Sequence, residues 1–186
     1  WKGASSPLNS AANHSGPKRP GRVRISPDGQ EAYVLNVAGT DHITFIALDG
    51  ADSSIITQLP AGQTGSANGP TYTETSGIEL SPDGSILAVC DSFNDKLRLY
   101  DTAAREQVAE VGVGDFPIRV AFSPDGTRAY VTNHFGSNLS VINVDGENSN
   151  LITTIPGCTG YPLTVSVDGA GEFGFDLAAT SLGIVG

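Results

Sequence analysis

The stretch Pro117-Ile118-Arg119-Val120-Ala121-Phe122-Ser123-Pro124-Asp125-Gly126-Thr127-Arg128-Ala129-Tyr130-Val131-Thr132-Asn133 decides the fold. Its first six residues alternate in character as a half-buried strand does. Ser123–Gly126 then reads as a tight turn, because Pro presets φ and Gly takes a conformation that a side chain resists. Arg128–Asn133 returns as a second strand. Working outward, His134–Asn138 reads as a polar loop, Leu139–Val144 as a third strand, Asp145-Gly146 as a turn and Leu151–Pro156 as a fourth strand.

The Ser-Pro-Asp-Gly turn recurs at Ser26–Gly29 and Ser81–Gly84, with a degenerate copy at Ser166-Val167-Asp168-Gly169. Successive copies are 55, 42 and 43 residues apart, close to the ~40–45 residues of a four-stranded propeller blade. The rest of the repeat falls into register. Tyr33-Val34-Leu35-Asn36 matches Tyr130–Asn133, and Ala88-Val89-Cys90-Asp91 takes the same place in the second copy. The predicted fold is all-β: about three full β-propeller blades (20–62, 75–114, 115–158) and a partial fourth (159–186), after an irregular segment 1–19. The long first spacing predicts an insertion over 63–74.

Tyr130-Val131-Thr132-Asn133 after a Ser-Pro-Asp-Gly turn resembles the YVTN β-propeller repeat family. The resemblance covers about residues 20–176. It implies one of several roles: lactonase-like enzymes, surface-layer modules, or parts of exported redox proteins. Fold alone does not choose among them.

Blades radiate from a central channel with the first strand innermost. The strand 2–3 loops and the inter-blade segments then share one face, where such propellers bind ligands. The Ser-Pro-Asp-Gly turns lie opposite. The insertion falls on the ligand face, and its Tyr72 and Glu74 are candidate contacts. Arg22 and Arg119 stand at equivalent positions near the channel end of the first strand, with Gly77 at that place in the second repeat. Two guanidinium groups there suit a carboxylate or phosphate; pairing with a neighbouring blade is the plainer reading. His134 is the best placed of three scattered histidines for a ligand or acid–base role. Asp91, Asp95 and Asp115 are the candidate ligands should a hard cation such as Ca²⁺ bind. The lactonase-like relatives that need a metal use carboxylates converging on the channel. Here no single acid repeats at one blade position, so no cofactor is evident.

Gly-x-Ser-x-Gly, Cys-x-x-Cys-His and Gly-rich phosphate loops are all missing from the sequence. Twenty acidic against ten basic residues give a net charge of −10, which repels a phosphate backbone, so nucleic acid is not an expected partner. The basic cluster Lys18, Arg19, Arg22 and Arg24 reads as solvated chain. No apolar run approaches the ~20 residues of a membrane span. Cys90 is expected as a small buried thiol, with a Cys90–Cys158 bond as the lesser alternative. Asn13-His14-Ser15 and Asn138-Leu139-Ser140 fit the glycosylation triplet.

The last repeat stops near its third strand, at Leu182–Val185. Three readings follow: a piece of a longer propeller, a ring completed by another chain, or a fourth repeat remodelled as a cap. The first is preferred. The function expected is an exported (extracellular or periplasmic) binding or scaffold module for a protein, glycan or small ligand. The alternative is the propeller part of an enzyme, either lactonase-like or a periplasmic oxidoreductase subunit.

Overall fold

A computed structural model of the chain describes residues 19–37, 41–64, 77–157, 162–167 and 173–177. Blade one is β1 (Arg19–Ile25), β2 (Glu31–Val37), β3 (Asp41–Ala47) and β4 (Ser54–Gly62). Blade two is β5 (Ile78–Leu80), β6 (Ile86–Asp91), β7 (Lys96–Asp101) and β8 (Glu106–Gly112). Blade three is β9 (Pro117–Phe122), β10 (Arg128–Asn133), β11 (Asn138–Asn143) and β12 (Asn150–Pro156). Each is an antiparallel sheet in sequential strand order, and β13 (Pro162–Val167) pairs with β14 (Phe173–Leu177) as the start of a fourth. The partial propeller is therefore as the repeat predicts, with β9 and β10 on the expected residues. The leader before Arg19, most of the insertion with Tyr72 and Glu74, Cys158 and the expected strand at 182–185 lie outside the described residues. No helix among the described residues is long and apolar enough to cross a membrane.

The three Ser-Pro-Asp-Gly turns are built alike. Each serine hydroxyl donates to the aspartate two residues on, at 2.5, 2.6 and 2.6 Å for Ser26, Ser81 and Ser123. The same carboxylate oxygen accepts the backbone N–H of Gln30, Ser85 or Thr127 at 3.0 Å. Those serine hydroxyls, and then the N–H groups, hold Asp28, Asp83 and Asp125 below the ordinary carboxylate range. The turn glycines sit at φ 73°, 79° and 74°. Successive turns also touch. A Cβ on Gly84 would lie 2.7 Å from Pro27 Cδ, whereas one on Gly126 would lie 3.7 Å from Pro82 Cδ. Both Gly→Ala changes incur the left-handed cost of about 1–2 kcal/mol, and Gly84→Ala adds a collision. Urea unfolding is expected to show the larger loss for Gly84→Ala; equal losses would mean the Pro27 contact is immaterial.

Two apolar layers join the blades. Tyr33, Leu35 and Phe45 of blade one meet Ile78, Leu87, Val89 and Tyr100 of blade two. Cys90, Leu97 and Leu99 then meet Val120, Phe122, Val131 and Ile142 of blade three. The Tyr100 hydroxyl donates to the Pro60 carbonyl across the first boundary at 2.6 Å, and burial pushes its pKa up. Burial likewise pushes the Tyr33 hydroxyl up to about 12. Cys90 is a free, fully buried thiol, as expected, and burial raises it to about 12.

By register, Val23 and Ile25 of β1 correspond to Ile78 and Leu80, and to Val120 and Phe122. Yet Val23 and Ile25 are both 49% exposed, against 1% for Ile78 and 5% for Val120. The face of blade one turned away from blade two thus leaves exposed, at Val23, a position that is buried in blades two and three. Arg24 of the basic cluster also departs from its reading as solvated chain. Arg24 makes a two-pronged ion pair with Glu79 of the next blade, at 2.8 Å on both prongs, because adjacent first strands lie side by side around the channel. Arg105 similarly reaches back to Glu31 at 2.7 Å.

The outer strands share one irregularity. Ile56 on β4, Val108 on β8 and Ile152 on β12 are each an extra residue without a partner opposite, and the register shifts there. Bulges of this kind bend and twist a strand.

Candidate functional site

The loop face is organised around one equivalent residue at the loop end of each second strand. In blade two this is Asp91, wholly buried. Its Oδ2 accepts Arg98 Nε and Nη2, both at 2.8 Å. Its Oδ1 accepts the Gln63 backbone N–H at 2.7 Å and Asn94 Nδ2 at 2.8 Å. Arg98 continues the network to Glu110 and Gln107 at 2.8 and 2.9 Å. Gly62 is required beside it: at φ 85°, a Cβ there would stand 2.1 Å from Asp91 Oδ2. Blade three places Asn133 at the same point, donating to Asn138 Oδ1 at 2.6 Å and Ser140 Oγ at 2.9 Å. Blade one places Asn36, donating to Thr44 Oγ1 at 2.9 Å. The position serves as a fastener between the second and third strands, and the charged version in blade two also holds the segment arriving from blade one.

The start of the insertion is pinned twice. Gln63 is held by Asp91, and buried Thr64 donates its backbone N–H and hydroxyl to Asp41 Oδ2 at 2.6 and 2.8 Å.

Between blades two and three, the crossing segment is strapped to both strand 2–3 loops. Asp95 accepts Val113 N–H on its carbonyl and Phe116 N–H on its carboxylate, both at 2.9 Å. On the other side, His134 N–H donates to Phe116 O at 2.8 Å and Gly136 N–H to Asp115 O at 3.1 Å. Phe116 is held at φ 57°, an unusual conformation for a bulky residue. It is buried, with Phe93 and Phe135 on either side, 46% and 47% exposed. The Phe116 ring lies 5.2 Å from Phe93, edge-on, and 4.5 Å from Phe135, tilted. His134 packs 5.1 Å from Phe135. Sequence reasoning missed this aromatic group by treating the loop after Asn133 as polar. The signal was present: Phe93 and Phe135 are 42 residues apart, the spacing of their blades' turns.

Arg22 is half-buried on β1 opposite Leu35, and Arg119 half-buried on β9 opposite Thr132. Arg119 Nη1 donates to the Ile118 carbonyl at 2.8 Å, and its charge opposes the burial that raises Cys90. Gly77 occupies the matching place before β5. A Cβ there would meet Cys90 Sγ at 2.7 Å, Ile118 O at 2.8 Å and Arg119 Cα at 2.9 Å. Asp95 and Asp115 are exposed, and they share the Phe116 crossing with His134. Asp91 is occupied by Arg98. Among the described residues no three His, Cys, Asp or Glu side chains converge to hold a metal ion.

The fold recurs in solved structures. The chain is 23% identical to a hydrazine synthase structure of Kuenenia stuttgartiensis, with a TM-score of 0.70 over 95% of this chain and 47% of that one. A functionally unknown protein of Desulfotomaculum acetoxidans is 21% identical, with a TM-score of 0.68 over 90% and 51%. The periplasmic gluconolactonase PpgL of Pseudomonas aeruginosa is 20% identical, with a TM-score of 0.62 over 84% and 49%. The chain thus spans about half the length of these structures, and at such identities the likeness is one of fold. A search of curated proteins finds no match. Residues 55–157 match the family Lactonase, 7-bladed beta-propeller. That match takes in more than half of the chain, from the outer strand of blade one through the end of blade three. This chain belongs to the seven-bladed β-propeller lactonase family.

Proposed function

We propose that these blades form part of a lactonase-like propeller that receives a lactone at the channel end of its first strands. The observation that carries the reading is the placement of Arg22 and Arg119 at equivalent positions on two innermost strands, with Gly77 contributing no side chain between them. Opening a lactone ring creates an oxyanion and then a carboxylate, and guanidinium groups favour both. The family supports the reaction class, and the gluconolactonase neighbour suggests a sugar lactone as the first substrate to try.

Arg119→Ala is expected to weaken binding of gluconate about tenfold or more, the usual loss when one partner of a charged hydrogen bond is removed. Arg119→Lys should recover part of it. Calorimetric titration of variants checked by circular dichroism reads the effect. Unchanged affinity in Arg119→Ala, or an equal loss in the turn variant Asp125→Asn, would refute the placement.

A second reading, an exported module that binds a protein or glycan, is supported by the exposed aromatic residues of the same face. Export to the periplasm or outside the cell belongs to both readings, and cell fractionation tests it. The exposed Val23 and Ile25 favour completion of the ring by further blades, whether of the same polypeptide or of a partner.

A further inference from the structure

We infer that Phe93 and Phe135, braced by Phe116, form a stacking platform for the neutral hexose rings of a glycan. The inference is independent of the lactone reading and involves neither Arg22 nor Arg119. Two phenylalanines from equivalent loops of adjacent blades each stay about half exposed, although Phe116, which both contact, is buried. Phe116 itself is held in a costly backbone conformation by hydrogen bonds with both loops. The Phe93 ring stands at 83° to Phe116 and the Phe135 ring at 31° to it, so the two exposed rings are steeply inclined to each other and call for a bent glycan that sets one sugar unit on each.

The surroundings select the occupant. Asn94, Asp95, Asp115 and His134 neighbour the platform in the loops that carry it. An apolar peptide would strip water from these groups and return no hydrogen bonds, at a cost. Sugar hydroxyls replace that water while the C–H faces lie on the rings. Nucleobases stack equally well on aromatic side chains, but their phosphates meet Asp95, Asp115 and a net charge of −10. The same field disfavours uronic and sulfated sugars, which leaves uncharged hexoses.

The test is saturation-transfer NMR on the full chain with cellotriose and maltotriose as probes. Saturation is expected at the ring C–H protons of at least one of them. The Phe93→Ala/Phe135→Ala double variant should lower its affinity at least about tenfold, the scale of two lost stacking contacts. Phe93→Tyr/Phe135→Tyr should retain binding. No saturation of either trisaccharide at millimolar concentration would overturn the inference. So would undiminished binding by a double alanine variant whose circular dichroism is unchanged. Gluconate titrated into the same samples reads the Arg119 site separately, so each reading fails on its own measurement.

Discussion

Asp91→Ala is expected to lower the unfolding free energy by about 3–5 kcal/mol, the cost of removing one partner from a buried ion pair. For a chain of this size that corresponds to roughly 2–4 °C of melting temperature per kcal/mol. The carboxylate is fully buried and Arg98 is 18% exposed, so little solvent is at hand to replace the lost charge. The Gln63 N–H and Asn94 amide lose their acceptor in the same change. Because Gln63 belongs to the segment leaving blade one, the damage extends across the blade boundary. Arg98→Ala should be similarly costly, and the double variant should fall well short of the sum, as expected of groups in one network. Additive losses in a guanidinium chloride series, or a single-variant loss below about 1 kcal/mol, would show that the pair behaves as a solvated surface bridge.

Gly77→Ala is expected to cost about 1–3 kcal/mol or more through overpacking. A new methyl group would meet three atoms closer than 3 Å, two of them backbone atoms of blade three, which cannot turn aside as a side chain does. Cys90→Ala in the same background should remove only the collision with the thiol, so rescue should be partial. Full rescue would place the whole conflict on Cys90, and no destabilisation at all would refute the close approach of β9. The glycine therefore has a packing reason: it lets the first strand of blade three lie against the start of β5.

The fold was legible because its signals are local. Ser-Pro-Asp-Gly carries its own hydrogen bonds, and strands such as Pro117–Phe122 and Arg128–Asn133 are set by the turn between them. The face assignment followed from topology alone. What escaped the sequence depends on chain segments meeting from different blades. Asp91 reads equally well as a loop acid or a cation ligand until β6 and β7 pair and bring Arg98 beside it. Arg24 looks solvated until the first strand of blade two sets Glu79 alongside. Phe116 shows no sign of burial in its own segment, Val-Gly-Asp-Phe-Pro, because the walls of its site are the loops of two neighbouring blades.

Concentrated solutions of this chain should resist fibril formation, in spite of Asn150-Leu-Ile-Thr-Thr-Ile-Pro156, a segment whose seven residues are all exposed. Its composition is that of a cross-β template: β-branched, uncharged and apolar on both sides. The extra residue at Ile152 breaks the even spacing that an incoming strand must match, and Pro156 withholds a donor at the end. β4 repeats the device with Ile56 and Pro60, while β8 combines its bulge at Val108 with the charges of Glu106 and Glu110. The irregularity that bends each outer strand thus also spoils it as a seed, leaving the rim unable to recruit copies of itself.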